Sequence, residues 1–75
     1  MYYLRFYENA SCSTVIGGAV ETLKEAMRQL DRLKEGIDAT DVKGFAGIQW
    51  MRAGITPCCI AITNENGEPI TLKEE

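Results

Sequence analysis

The first segment of the chain, Tyr2 to Tyr7, is aromatic or aliphatic at every position except Arg5. Aromatic residues favour strands, and successive side chains of an extended chain point to opposite faces of a sheet. The two faces of this predicted strand carry Tyr2, Leu4 and Phe6 on one side and Tyr3, Arg5 and Tyr7 on the other. Cys12 to Ile16 can return as a second strand before the flexible pair Gly17-Gly18.

The next segment has a helical period, with apolar residues three and four positions apart. These apolar residues are Leu23, Ala26, Met27, Leu30 and Leu33. Thr22 and Glu25 form a capping box, in which the threonine hydroxyl accepts from the third helical amide and the glutamate reaches back to the cap amide. Gly36 supplies the left-handed residue that commonly ends a helix. The pattern predicts a helix from Thr22 to Glu35.

No period persists from Ile37 to Phe45, which contains turn formers, acids and glycine. We predict a loop there, with one helical turn near Asp38 or Thr40 as the alternative. Alternation returns from Gly47 to Arg52 and predicts a strand. Ala53-Gly54 then predicts a turn.

Two adjacent cysteines, Cys58 and Cys59, lie in a predicted strand that opens at Pro57, where a residue without an amide donor is tolerated. Since neighbours in a strand face opposite ways, Cys58 joins the core and Cys59 the second face. A disulfide between them would need local distortion of the strand. We therefore interpret this pair as part of a strand, not as a redox centre.

Asn66-Gly67 is a strong hairpin-turn signal, because both positions readily adopt positive φ. It predicts that Ile70 to Leu72 folds back beside the preceding strand. Pro69 indicates that this last strand lies at an edge. Lys73 to Glu75 should be frayed.

These elements predict one α+β domain over residues 1–75: a small two-layer sandwich in which one amphipathic helix crosses an antiparallel sheet of about four or five strands. The predicted sheet core is Leu4, Phe6, Ile48, Cys58, Ile60, Ile62, Ile70 and Leu72, and the helix adds Leu23, Met27, Leu30 and Leu33. One helix can cover only one sheet face. The uncovered face should carry Tyr3, Tyr7, Met51, Ala61 and Cys59.

Charge and composition narrow the function classes. The net charge is −3, with eight basic residues against eleven acidic ones and no histidine, which disfavours direct binding to nucleic acid. No run approaches the roughly 20 apolar residues that span a bilayer, and the first residues do not resemble a signal peptide. We therefore expect a cytoplasmic protein, whose odd number of cysteines points to free thiols.

The residue types needed for catalysis or metal binding are few. Without histidine, a zinc site lacks ligands and a reactive thiol lacks its usual base. Asp38 and Asp41 lack the spacing of a calcium loop, and neither they nor Glu65 and Glu68 have surroundings apolar enough to raise a carboxyl pKa for acid–base catalysis. We expect no catalytic residue, no metal and no cofactor. A small thiol-dependent enzyme or enzyme subunit, using Cys12 or Cys59, is an alternative.

The candidate interaction residues are Tyr3, Arg5, Tyr7, Met51 and Cys59. Tyrosine and arginine are enriched at protein–protein hot spots, although the tyrosines can equally pair across strands with their hydroxyls in water. The favoured function is a small acidic, non-enzymatic protein-interaction module whose partner is another protein or, as a homodimer, itself. A specialised version is an accessory inhibitor, such as a phage-encoded blocker of a host nucleic-acid-binding or defence complex. The alternative is single-stranded nucleic-acid binding, with aromatic side chains stacking on bases.

Overall fold

The computed structural model describes residues 1–8, 11–52 and 56–71. The elements in these ranges are β1 (Tyr2–Tyr7), β2 (Ser13–Val20), α1 (Leu23–Glu35), β3 (Thr40–Asp41), β4 (Gly47–Arg52) and β5 (Thr56–Thr63). The strands form a five-stranded antiparallel sheet in the order β2-β1-β5-β4-β3, and α1 packs on one of its faces. The predicted α+β class, with one helix on an antiparallel sheet, is confirmed.

β5 is the last strand in the sequence and the central strand of the sheet. It pairs with β1, where Leu4 lies opposite Ile62, and with β4, where Ile48 lies opposite Ile60. Alternation sends all four of these side chains towards α1. Together they form the middle of the core.

Ten hydrophobic residues are buried in the described part of the chain: Leu4, Val20, Ala26, Leu30, Ala46, Ile48, Cys58, Ile60, Ala61 and Ile62. All of them except Cys58 and Ala61 form the core cluster between α1 and the sheet. Most of the predicted core is confirmed, and Phe6 packs at its border with its ring centroid 5.9 Å from that of Trp50. The prediction for Leu33 is wrong: it is 37% exposed, because the last turn of α1 extends past the buried centre. Leu72 lies outside the described residues.

Local contacts determine both ends of α1. The N-terminal end follows its prediction and the C-terminal end does not. Thr22 is the N-cap, and its Oγ1 accepts from the Glu25 amide at 3.2 Å. At the other end, Gly36 has φ −87° and ψ −5°, so the predicted left-handed cap is wrong. Its amide donates instead to the Leu33 carbonyl at 3.3 Å, which closes a right-handed turn.

The loop predicted from Ile37 to Phe45 contains a short strand, β3. Thr40 pairs with Gln49, and the Lys34 Nζ at the end of α1 lies 2.8 Å from Asp41 Oδ1. β3 depends on tertiary contacts, namely its pairing with β4 and this ion pair. No local alternation of apolar and polar residues could therefore predict the strand. The alternative of a helical turn beginning near Asp38 or Thr40 is wrong, because the chain is already extended as β3 at Thr40–Asp41.

β2 is longer than its predicted range because it continues through Gly17-Gly18 to Val20. Gly17 has φ +69°, and the register with β1 shifts between the Leu4–Ile16 and Tyr2–Val20 pairs. The irregularity gives the strand room to turn Val20 into the core, where it is 5% exposed.

The hairpin after β5 differs in detail from its prediction. The Asn64 amide donates to the Glu68 carbonyl at 3.0 Å, and Gly67, at φ +82°, donates to the Asn64 carbonyl at 3.1 Å. The loop is therefore residues 65–67 with its left-handed residue last. It is not a two-residue turn centred on Asn66-Gly67.

The segment after this loop does not form the predicted edge strand. Ile70 donates to the Ile62 carbonyl at 2.8 Å and accepts from the Ala46 amide at 3.0 Å. It thus lies between the end of β5 and the entry to β4, since β4 already occupies the rest of that side of β5. The predicted turn at 53–54 and the predicted fraying of 73–75 lie outside the described residues.

Candidate interaction surface

We define the helix-free face as the side of the sheet opposite α1. Strand register places Tyr7 opposite Cys59, and Cys59 opposite Gln49, so alternation puts Met51 on the same side. The face comprises Tyr3, Arg5, Tyr7, Ser13, Val15, Thr40, Gln49, Met51, Cys59, Ala61 and Thr63. The five predicted interaction residues therefore lie on one face of the sheet.

One end of the helix-free face is closed. Ala61 and Thr63 are only 8% and 0% exposed, and Thr63 Oγ1 lies 3.5 Å from the Tyr3 carbonyl oxygen that it donates to. The turn after β5 reaches this end as well, because a Cβ built on Gly67 would lie 3.9 Å from Arg5 Nη2. Arg5 and the turn thus cover the sheet here.

Arg5 lies across the face in a constrained position. Its Nη1 donates to Ser13 Oγ at 3.0 Å, while its Nε–H is buried and has no hydrogen-bond partner in the described part of the chain. An unpaired buried donor costs about 1–3 kcal/mol. Among the strand side chains that the structure describes on this face, Arg5 is the one that carries a charge.

The more exposed part of the face runs diagonally from Val15, which lies beside Arg5 on the edge strand β2, through Tyr7 and Cys59 to Gln49 and Met51, and we call this part the open end. Val15 and Met51 are 39% and 53% exposed, and Tyr7 and Cys59 lie half-buried between them. Sequence reasoning missed Val15. Its place follows from pairing opposite Arg5, which only the register of the first hairpin reveals.

A shallow depression of about 460 Å³ adjoins the open end at the β3–β4 edge. It is lined by Asp38, Thr40, Gln49, Trp50 and Met51. The depression therefore borders Met51 on the helix-free face and Trp50, whose side chain belongs to the α1 side of β4.

The described groups offer little acid–base or metal chemistry. Partial burial raises the pKa of the Cys59 thiol, which lowers its nucleophilic thiolate fraction. The pKa of the exposed Glu65 carboxyl is lowered, and the largest cause is the hydrogen bond that it accepts from the Met1 ammonium. Within residues 1–8, 11–52 and 56–71, no three Cys, Asp or Glu side chains are grouped as a metal site would require.

No second layer covers the open end within the described residues. α1 is committed to the other face, and residues 37–45 form turns and β3 instead of a second helix. Val15 and Met51 are therefore exposed to solvent on this side of the sheet.

The fold defines a class: small α+β domains in which one helix packs on a five-stranded antiparallel sheet. Within the described residues, no helix is long and apolar enough to cross a membrane. No protein-family model, no curated protein and no solved structure matches the chain.

Proposed function

We propose that this chain is a small, non-enzymatic protein-interaction module that binds a partner protein through the open end of its helix-free face. The observation that carries the proposal is the exposure of Val15 and Met51 on either side of half-buried Tyr7 and Cys59. A partner that packs there would remove apolar surface from water at about 25 cal/mol per Å². The three thiols fit a reducing, cytoplasmic setting.

Arg5 indicates what kind of partner fits. In a homodimer formed through this face, two guanidinium groups would enter one interface, and like charges there are unfavourable. A different protein with a carboxylate beside an apolar patch would complement both Arg5 and Met51. By drawing the guanidinium outward, it would also expose the unpaired Nε–H to a new acceptor.

Site-specific photo-crosslinking tests the proposal in the cells that naturally make the chain. A photoreactive phenylalanine analogue at position 51 should give one discrete covalent adduct, because Met51 is the most exposed apolar side chain of the open end. The same analogue at exposed Arg28, on the solvent side of α1, is the matched control. An adduct of twice the chain mass identifies a second copy, and any other mass a different protein.

A second substitution makes the result specific. Met51→Glu places a charge on the open end and should abolish crosslinking from position 49, whereas Arg28→Glu should not. Identical adduct patterns from positions 28 and 51, or adducts that survive Met51→Glu, would overturn the proposal.

A specialised form of this function is inhibition of a nucleic-acid-binding complex, such as a phage-encoded blocker of host defence. The support is a net charge of −3, since carboxylates can occupy a groove built for phosphates. Binding to such a complex should weaken between about 0.05 M and 0.5 M salt, as exposed charge pairs are screened. Affinity that does not change with salt would contradict this form.

Single-stranded nucleic-acid binding has less support. A base-stacking sheet needs exposed aromatics and several cations along the strand path. Here both Tyr3 and Tyr7 are half-buried, and the one charged strand side chain described on the face, Arg5, is already bonded to Ser13.

A further inference from the structure

The two edges of the sheet are built differently. The β3 edge has two residues, Thr40–Asp41, and charged neighbours at Asp38 and Lys43. The β2 edge has eight residues, Ser13–Val20, with neither charge nor proline. Short length, charge and proline are the usual protection of an edge strand against pairing with another chain. The β3 edge is therefore protected against pairing with another chain, and the β2 edge is not.

We propose that a second copy of this chain pairs with β2, antiparallel and edge to edge, so that one sheet runs through both copies. The contact uses backbone groups at the edge of β2, whereas the partner proposed above packs on side chains of the helix-free face. It therefore does not depend on the partner proposed above.

The hydrogen-bonding pattern of the first hairpin shows which groups are available. The Glu8 amide donates to the Cys12 carbonyl at 3.1 Å, and pairing alternates along an antiparallel ladder. Residues 12, 14 and 16 therefore direct their backbone groups towards β1. Ser13 and Val15 direct theirs away from the sheet, where a new strand can pair with them.

This alternation fixes the register of the pair. Outward-facing residues must meet outward-facing residues, so a two-fold axis at Thr14 sets Ser13 opposite Val15 of the second copy and Thr14 opposite Thr14 of the second copy. An axis at Val15 would set Ser13 opposite Gly17, whose φ of +69° interrupts the regular strand. An axis at Ser13 would set Val15 opposite Ser11, which lies outside the strand, so the axis at Thr14 is the one that uses only the regular part of β2.

Charge and symmetry favour a second copy over an unrelated strand. The strand pairs with itself, so any charge on it would face its own like charge, and β2 has none. Its edge is also self-complementary in hydrogen bonding, as a two-fold contact requires. The axis is perpendicular to the sheet, so both helices lie on one side and both helix-free faces on the other.

A cysteine at the axis tests the contact. In a Cys12→Ser background, Thr14→Cys should give a disulfide-linked dimer under mild oxidation, because non-hydrogen-bonded partners have Cα atoms about 4.5 Å apart, within disulfide range. Lys24→Cys, equally exposed but on α1, is the control, and the Cys12→Ser chain gives the background from Cys58 and Cys59. We expect at least tenfold faster dimer formation at position 14 than at position 24.

A proline separates edge pairing from face binding. Val15→Pro removes an outward amide that β1 does not use, and edge strands tolerate proline, so the variant should keep its circular dichroism spectrum and lose the dimer in light scattering. Val15→Ala keeps the amide and should keep the dimer. Met51→Glu, which disables the helix-free face, should also leave it intact.

Two results would overturn the inference. The first is crosslinking at position 14 no faster than at position 24 while the chain is monomeric in light scattering. The second is a dimer that Val15→Pro leaves unchanged and Met51→Glu abolishes, which would assign self-association to the helix-free face.

Discussion

At the scale of single residues, the close approach of β4 to β5 leaves no room for a side chain at Gly47. Gly47 is buried at the start of β4, opposite Ala61. A Cβ at this position would lie 2.7 Å from the Ile60 carbonyl oxygen and 3.3 Å from the Ala61 Cα. Both are backbone atoms of the central strand, so they cannot move aside cheaply.

Gly47→Ala should therefore destabilise the fold by about 1–3 kcal/mol, the usual cost of overpacking. Gly18→Ala is the matched control, because a Cβ there meets nothing within 4 Å, and it should change stability by less than about 0.5 kcal/mol. Urea denaturation of the two variants measures the difference. Equal midpoints would contradict the close approach of β4 and β5.

The thiols should differ in reactivity. Cys12 is exposed and Cys59 half-buried, and burial raises the pKa of the Cys59 thiol. At pH 8 we expect iodoacetamide to modify Cys12 several-fold faster than Cys59, followed by mass spectrometry of peptides. The rate at Cys59 should rise with pH beyond the range in which an ordinary thiol has fully ionised. In urea the two rates should become equal, and a difference that persists there would not be due to burial.

At the scale of elements, sequence patterns predicted the strands and the helix that depend on residues near one another in the chain. β1 and β4 have their predicted bounds, and α1 follows its cap, because alternation and helical period come from side chains near in sequence. β3 and the far half of β2 could not be predicted this way. They are strands because β4 and β1 pair with them, which no local pattern encodes.

The N-cap of α1 provides the element-scale test. Thr22→Ala removes the acceptor of the Glu25 amide and should cost about 1 kcal/mol, whereas Thr22→Ser keeps the hydroxyl and should stay near the parent. Thermal denaturation followed at 222 nm compares them. If the serine variant is as unstable as the alanine variant, the hydroxyl is not what stabilises this end.

The candidate surface was only partly predictable for a similar reason. Alternation places Tyr3, Arg5 and Tyr7 on one side, and pairing adds Cys59 and Met51. Which end of the face is open depends on Arg5 reaching Ser13 and on the turn at Gly67 lying beside it. Those contacts join residues that are distant in the sequence, so a local pattern cannot predict them.

At the scale of the whole molecule, the chain has a single thin core. A domain of 75 residues has a folding free energy of roughly 4–11 kcal/mol. The core cluster of the described residues has eight buried members between one helix and one sheet face. Removing a few buried methyl groups at the centre of the core should therefore remove a large share of the folding free energy.

Ile62→Ala tests this margin. Ile62 is fully buried, and its truncation should cost about 2–5 kcal/mol, enough to leave a measurable unfolded fraction at 25 °C. Leu33→Ala, at a site 37% exposed, should cost less than half as much. Urea titration by tryptophan fluorescence of Trp50 reports both, and similar losses at the two sites would place the core elsewhere.

The position of β5 also governs when the molecule can form. The hairpins β1–β2 and β3–β4 can each close from neighbouring sequence, but in the sheet each of them is hydrogen-bonded to β5 and not to the other, and β5 is synthesised after both. During synthesis, the two hairpins therefore cannot join into one sheet until β5 has been made. Separating that strand onto its own peptide would give a split protein whose reassembly reports its presence.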